Sequence, residues 1–382
     1  MNVQRIKRCP ALYKVLLAVR QAAGRAWMRA VYRVRGVDAG KVFFSSFKGK
    51  SYCDSPRFIS EALHALRPDL KIVWQLAPGQ DAPDYVRAVR PHSLSALSEL
   101  ATAGCIVDNF NRPIYLLKFP GQLYVQTWHG DRGFKKVLYD LPNPIAYPDG
   151  RQMDLAVAGS DFGEGVYRTA FRYSGEVLKI GMPRNDRLAR PDPAGIAAIR
   201  RRLGIGEGVR VMLYAPTFRD ATSGQEQAAG FDLERAVGIL KQSTGCDWLC
   251  LTRAHDMNRG IAARGADIRD ATGYPEMSDL LLASDLLVTD YSSSAGDFPL
   301  LGRPVILYQP DLDEFTRSDR TMYFDIRQSP FLRAESQDAL FELLRNFDRL
   351  PDRSQEILAF YGAREGGDSA AAVARWISER LT

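Results

Sequence analysis

The chain has 382 residues, 46% of them apolar and 25% charged, with a formal net charge of +6. These are globular proportions with room for two domains of ordinary size. No run of 18 apolar residues is present, which excludes a transmembrane helix of ordinary length, and the N-terminus lacks the uninterrupted apolar core and cleavage pattern of a secretory signal.

The first element is predicted in residues 1–36. Leu12, Leu16, Val19, Ala23, Trp27, Ala30 and Val34 recur at spacings of three and four, with Pro10 near the start. The segment holds nine basic residues (Arg5, Lys7, Arg8, Lys14, Arg20, Arg25, Arg29, Arg33 and Arg35) and no acid, which leaves the rest of the chain at a formal −3. The pattern is a basic amphipathic helix suited to an anionic membrane surface. It also suits a helix packed on the protein, and no nucleic-acid-binding motif accompanies the charge. Residues 1–36 are therefore set apart as a membrane-association helix.

After Gly40 the rhythm becomes strand–helix. Strands are predicted at 41–47, 71–76, 105–107, 123–127, 154–158 and 177–180, with helices at 57–66, 93–103 and 162–171. Residues 182–208, rich in Pro, Gly and Arg, read as a connection containing a short helix at 194–203. Strands follow at 209–214, 247–252, 286–289 and 305–308, and helices at 233–243, 277–283, 295–301, 337–347 and 369–381. Alternation of this kind predicts parallel α/β sheets. The expected fold class is α/β, GT-B-like, with two Rossmann-like domains facing a cleft, at 37–190 and 191–382, and a last helix able to pack back on the first domain. That architecture is a fold-level analogy.

The five cysteines (Cys9, Cys53, Cys105, Cys246, Cys250) form no zinc pattern and read as reduced structural thiols. The P-loop, HExxH, GxSxG and GxGxxG elements are all absent. Asp290 has no neighbouring DxD partner, so no metal is assigned.

Three features carry chemistry. The stretch SDLLVTDYSSSAGDFPLLGRPVILYQPDLDEF, residues 284–315, places Ser292, Ser293 and Ser294 between a buried strand and a helix-like run. Hydroxyls and free N–H groups at such a junction suit an anion, although one serine would suffice as a helix cap. His129, in QTWHG, follows a strand, where open α/β sheets gather ligands, and Gly130 would let a substrate approach. His255 occupies the matching place in the second half, after WLCLT and Arg253-Ala254. An imidazole accepts a proton near neutral pH. Arg184, Arg219, Arg253, Lys135 and Lys136 lie near these points and fit an anionic substrate. His64 reads as structural, and His92 carries no signal.

Taken together, KVFFSSFKGKSYCDSPRFISEAL, QTWHG, GMPRNDRL, LYAPTFRD, Arg253-Ala254-His255, TDYSSSAGDFPLLGRPVILYQPDLDEF and MYFD, in this order from Lys41 to Asp325, resemble the CDP-glycerol glycerophosphotransferase family. Members of that family build the polyol-phosphate chains of teichoic acids and related capsules. The resemblance implies a GT-B-like core with a CDP-alditol donor on the C-terminal domain and the acceptor along the N-terminal domain. The family histidines carry over to His129 and His255, and the donor-diphosphate serines to Ser292 and Ser293. Thr272 falls near the nucleotide-side loop. Arg253, Arg219, Arg184, Gly130 and Asp290 complete the expected substrate-binding set.

The implied reaction moves an alditol phosphate, glycerol phosphate first among them, to a hydroxyl of a lipid-linked or polymeric acceptor and releases CMP. No tightly bound cofactor is implied. The implied location is the cytoplasmic face of the cell membrane, as a peripheral protein. Competing readings are a CDP-ribitol-using transferase, a GT-B glycosyltransferase using a sugar nucleotide, and a non-catalytic membrane scaffold. After WHG the family often has Thr-Pro, whereas this chain has Asp131-Arg132-Gly133-Phe134-Lys135-Lys136; that loop is expected to face the acceptor.

Overall fold

The structure, a computed structural model, describes residues 10–112, 116–144, 149–217, 230–253, 265–317 and 321–381. Helix α1 (Pro10–Arg35) ends at Gly36, whose φ of 66° is the left-handed conformation that closes helices, with its N–H donating to Tyr32 O at 2.8 Å.

Two wholly parallel sheets follow. The first contains β1 (Asp38–Ser45), β2 (Lys71–Gln75), β3 (Val86–Val89), β4 (Ala103–Asp108), β5 (Leu123–Gln126), β6 (Leu155–Ala158) and β7 (Glu176–Lys179), in the order β3-β2-β1-β4-β5-β6-β7. The second contains β8 (Arg210–Ala215), β9 (Trp248–Thr252), β10 (Ile268–Asp270), β11 (Leu286–Thr289), β12 (Val305–Tyr308) and β13 (Leu332–Ala334), in the order β10-β9-β8-β11-β12-β13. Strands buried on both faces need continuous apolar runs, and Val42-Phe43-Phe44 and Leu286-Leu287-Val288 supply them.

Alternate residues feed opposite faces. On one face of the first sheet, Val42, Phe44 and Val107 pack with Ile59 and Leu63 of α2 (Asp54–Leu66). On the other, Phe43, Ile106 and Tyr124 meet Leu97 and Leu100 of α3 (Leu94–Thr102) and Met28 and Val31 of α1. Helix α4 (Asp161–Thr169) adds Val166 and Tyr167 to this second face. In the second sheet, Leu213 and Leu287 pack with Ile199 of α5 (Pro193–Arg202), and Met212 and Val288 with Val237 and Leu240 of α6 (Leu233–Thr244). Helix α7 (Met277–Ala283) leads into β11.

Beyond β11, the helix expected over 295–301 divides. Ser294–Asp297 forms one α-helical turn, α8, and Phe298–Leu301 continues as a 3-10 turn. Pro299 offers no N–H to extend the α-helix, and Gly302, at φ 63°, ends the segment. Helices α9 (Gln337–Arg345), α10 (Ser354–Tyr361) and α11 (Ser369–Arg380) complete the chain. Val373, Ala374, Trp376 and Ile377 of α11 pack among Val42, Phe44 and Ile59, so the chain's end lies on the first sheet.

No strand is predicted from the sequence at 86–89, 268–270 or 332–334. The structure places edge strands there, short and mostly exposed or half-buried, which is why they lack an apolar run.

Candidate active site

The carboxyl ends of both sheets face a cleft of about 520 Å³. Ligands in open α/β sheets gather outside the strand ends where the order reverses. In the first sheet that is between β1 and β4, and in the second between β8 and β11. The residues just past these ends are Phe47, Asn109, Thr217 and the 290–294 turn.

His129 leaves β5 and lines the cleft, half-buried. Its Nδ1 lies 2.8 Å from Asn109 O. A carbonyl only accepts, so Nδ1 carries the proton and Nε2 is the basic nitrogen. The ring stacks on Phe110 at 4.9 Å and 1°, meets Phe47 edge-on at 5.4 Å, and is 4.2 Å from the Trp128 ring. This aromatic cage desolvates the imidazole and pushes its pKa down to about 4; the Asn109 carbonyl and Asp54 act in the opposite sense, and Arg184 and Lys135 add to the lowering. The surroundings of His129 thus favour its neutral form.

Ser292 and Ser293 face it from the second sheet. Both line the cleft and are half-buried. Ser293 Oγ donates to His129 O at 3.4 Å, which fixes the spacing of the two walls. Ser294 is buried, with its Oγ 2.9 Å from Ser292 Oγ. The single turn of α8 is too short for a helix-long dipole, so the hydroxyls, more than a macrodipole, define this wall.

The remaining expected residues are distributed unevenly. Arg253 follows β9 and lines the cleft, with its N–H donating to Tyr214 O at 2.8 Å. Gly130 lines it too, but a Cβ there would meet only ordinary contacts, the nearest 3.6 Å away, so the position does not demand glycine. Arg184 lines the cleft but is 6% exposed and engaged: Nη2 lies 3.0 Å from Asp297 Oδ2, and Nη1 3.6 Å from Asp54 Oδ2. Asp290 lies behind the wall, where its Oδ1 accepts from Thr217 N at 2.8 Å, Thr217 Oγ1 at 2.5 Å and Tyr291 N at 2.5 Å. Thr272, half-buried after β10, is not among the cleft-lining residues; its N–H donates to Asp270 Oδ1 at 2.8 Å. His255 and Arg219 lie outside the described residues.

Cleft residues that were not anticipated include the aromatic rings around His129 and the polar residues Thr217, Asp54 and Asp297. Thr217 and Asp54 sit inside the motifs LYAPTFRD and SYCDSP, just past β8 and at the start of α2, and strand-end placement was the signal that could have found Thr217. Asp54 carries a left-handed φ of 61°, and its N–H donates to Glu276 Oε2 at 3.0 Å, joining the two halves.

The loop 131–136 has two roles. Arg132 is fully buried, with Nη2 2.7 Å from Asp297 Oδ1 and Nη1 2.7 Å from Glu365 Oε1. Phe134 is buried in the second sheet's core beside Phe331. Lys136 N donates to Thr321 O at 2.8 Å. Gly133, Phe134 and Lys135 line the cleft, while Arg132 and Lys136 tie the two halves together. Burial pushes Asp131 up to about 6 in spite of the adjacent Arg132. Burial also opposes ionisation of Asp297, but the guanidinium groups of Arg184 and Arg132 outweigh it and hold that carboxyl below its usual range.

Among the described residues no group of three or more His, Cys, Asp or Glu side chains could hold a metal ion.

Residues 27–373 match the family model described as CDP-Glycerol:Poly(glycerophosphate) glycerophosphotransferase. A teichoic acid glycerol-phosphate transferase of Staphylococcus aureus is 32% identical over 327 residues, 80% of this chain and 84% of that protein. A teichoic acid poly(glycerol phosphate) polymerase of Bacillus spizizenii is 26% identical over 94% of this chain and 98% of that protein. Two further polymerases of the same description, from Staphylococcus epidermidis and Bacillus subtilis, are longer, and the match spans 47% and 41% of them. The solved structure of the wall teichoic acid polymerase TagF superposes with a TM-score of 0.83 at 25% identity, covering 100% of this chain and 98% of that one. A histidine-to-asparagine variant of TagF soaked with CDPG superposes equally, at 0.83 and 25%. The chain belongs to the CDP-glycerol:poly(glycerophosphate) glycerophosphotransferase family.

Proposed function

We propose that the protein transfers glycerol phosphate from CDP-glycerol to a hydroxyl of a polyol-phosphate acceptor, lipid-linked at its far end, in teichoic acid synthesis. The acceptor oxygen attacks the glycerol-bearing phosphorus, the bond from that phosphorus to the bridging oxygen breaks, CMP departs, and the hydroxyl proton passes to His129 Nε2. Ser292, Ser293 and Arg253 hold the diphosphate and balance its charge, and His255 meets the departing phosphate. The observation that carries this reading is a neutral histidine with Nδ1 tied to Asn109 O, set against two hydroxyls on the opposite wall. Thr217, fixed by Asp290, stands beside that wall and is added to the donor-side set.

Glycerol is preferred over ribitol because the matching family model is described by CDP-glycerol and the glycerol-phosphate transferase is 32% identical over 80% of this chain, against 29% over 63% for a Staphylococcus aureus ribitol-phosphate polymerase. The test is incubation with CDP-glycerol or CDP-ribitol and a lipid-linked acceptor, reading CMP release and product mass. A phosphodiester-linked glycerol is expected; a glycosidic product, or none, would overturn the reading. His129→Ala should lower kcat by about 10²–10⁴-fold, the usual worth of a general base. Activity within twofold of wild type would remove His129 from the chemistry.

The protein works at an anionic membrane surface through α1. Met28 and Val31 are buried against the first domain, while Leu16, Val19, Trp27 and Val34 remain 38%, 61%, 41% and 84% exposed beside Arg25, Arg29 and Arg33. No described helix is long and apolar enough to cross a membrane, so this stripe would lie in the interface.

A further inference from the structure

Just past β1 the chain makes a turn in which three consecutive residues have positive φ: Phe47 at 46°, Lys48 at 62° and Gly49 at 85°. Side-chain-bearing residues avoid this region because Cβ crowds the backbone, and two in succession persist only when their surroundings dictate it. Here they do. Phe47 N donates to Asn109 Oδ1 at 2.8 Å, Gln75 Nε2 to Lys48 O at 3.1 Å, and Ala77 N to Gly49 O at 2.7 Å. A Cβ on Gly49 would lie 2.8 Å from Gln75 and 2.9 Å from Pro91, so no larger residue fits.

The turn aims two side chains. Phe47 lines the cleft against the His129 ring. Lys48, exposed, places Nζ 4.4 Å from the centroid of Phe110, the same ring that stacks on His129. An aromatic face holds an ammonium in position without neutralising it. Among the described residues no carboxylate lies within ion-pair distance of Lys48 Nζ. Arg184, deeper in the cleft, is by contrast taken by Asp297 and Asp54. Lys48 is thus a positioned cation beside the cleft, held against the cleft-lining Phe110 on the His129 side, with no carboxylate partner among the described residues.

We propose that Lys48 selects a phosphate-bearing acceptor, its ammonium binding the phosphodiester that lies one three-carbon unit behind the hydroxyl presented to His129. The proposal rests on the transfer reading above and extends it to the acceptor. A phosphodiester monoanion matches a single ammonium, and holding it at the cleft mouth brings the chain-terminal hydroxyl to the imidazole. Asn109 then serves both parts of the site, its carbonyl orienting His129 and its side chain pinning the turn.

The test uses two acceptors, each a glycerol joined to the same lipid alcohol, one through a phosphodiester and one through a neutral ether. The readout is kcat/KM for CMP release with each. In Lys48→Ala the phosphodiester-to-ether ratio should fall about tenfold, as expected for one charge-assisted contact at a wet cleft mouth, with KM for CDP-glycerol within about twofold of wild type. Lys48→Arg should restore most of the ratio. An unchanged ratio, an equal loss with both acceptors, or a rise confined to KM for CDP-glycerol each overturns the assignment. A wild-type enzyme that releases CMP with neither acceptor overturns the transfer reading and this proposal with it. A ratio unchanged in Lys48→Ala, with wild type active, overturns only the latter.

Discussion

His129 shows how much of a residue's chemistry is set by its neighbours. Its basic nitrogen is chosen by a backbone carbonyl, and its pKa is lowered first by desolvation among Phe47, Phe110 and Trp128. The imidazole is protonated only below that lowered pKa, so a base role is lost as pH falls through it and retained above. The acid limb of kcat/KM should accordingly lie well under the ordinary imidazole value of about 6.5. Phe110→Ala, which lets water reach the ring, should raise that limb by about one unit or more. A wild-type limb near 6.5, unmoved by Phe110→Ala, would show that the cage does not tune this base. The histidine was legible in QTWHG; its tautomer and pKa were not, because both come from residues on other strands. Thr217 taught the converse: a threonine past a strand end reads as nothing in particular until the fold brings it to a cleft.

At the scale of elements, α1 carries two apolar faces. Spacing alone found Leu16, Val19, Trp27 and Val34, which proved to be the exposed stripe, and did not separate out Met28 and Val31, which are buried. Periodicity reports that a helix is amphipathic; only its partner decides which side is covered. Truncating residues 1–36 would also strip core contacts from α3, so a surface change is the better probe. Leu16→Glu with Val19→Glu should abolish co-flotation with anionic phospholipid vesicles while leaving the thermal midpoint within a few degrees of wild type. Undiminished flotation would locate membrane attachment elsewhere. The serine segment makes a similar point: its helical pattern was legible, but Pro299 cut it to one α-helical turn and left that wall of the cleft to hydroxyls.

Across the whole molecule, the two sheets are joined by buried charge. Arg132, from the first, reaches Asp297 and Glu365, while Arg184 and Asn185 converge on the same Asp297. Gly296 permits this approach, since a Cβ there would lie 2.5 Å from that of Arg132. Removing one partner of a buried ion pair leaves the others uncompensated in a low dielectric, at a cost of about 3–5 kcal/mol. Arg132→Met should therefore lower stability by about that much in chemical denaturation, and a loss under about 1 kcal/mol would mean that the network is not a structural tie. The loop 131–136 was legible as unusual but not as an inter-domain strap, because each partner it meets is distant in sequence.

What the sequence by itself determined is local in origin. Continuous apolar runs specified the buried strands, and alternation with helices specified parallel sheets. Ordered motifs specified the family, and the nine basic residues of 1–36 marked a basic segment distinct from the rest of the chain. What only the tertiary structure decided is which polar groups meet. Edge strands β3, β10 and β13 form because a neighbour offers its backbone, not because their residues insist. Arg184 and Asp290, both expected at the substrate, are drawn into protein contacts by carboxylates and amides from elsewhere in the chain. Lys48 is held against Phe110, beside the His129 ring, by a strained turn, and no carboxylate among the described residues pairs with it. Burial of apolar side chains is written along a segment, whereas pairing of charges depends on distances that exist only after the two sheets have closed on one another.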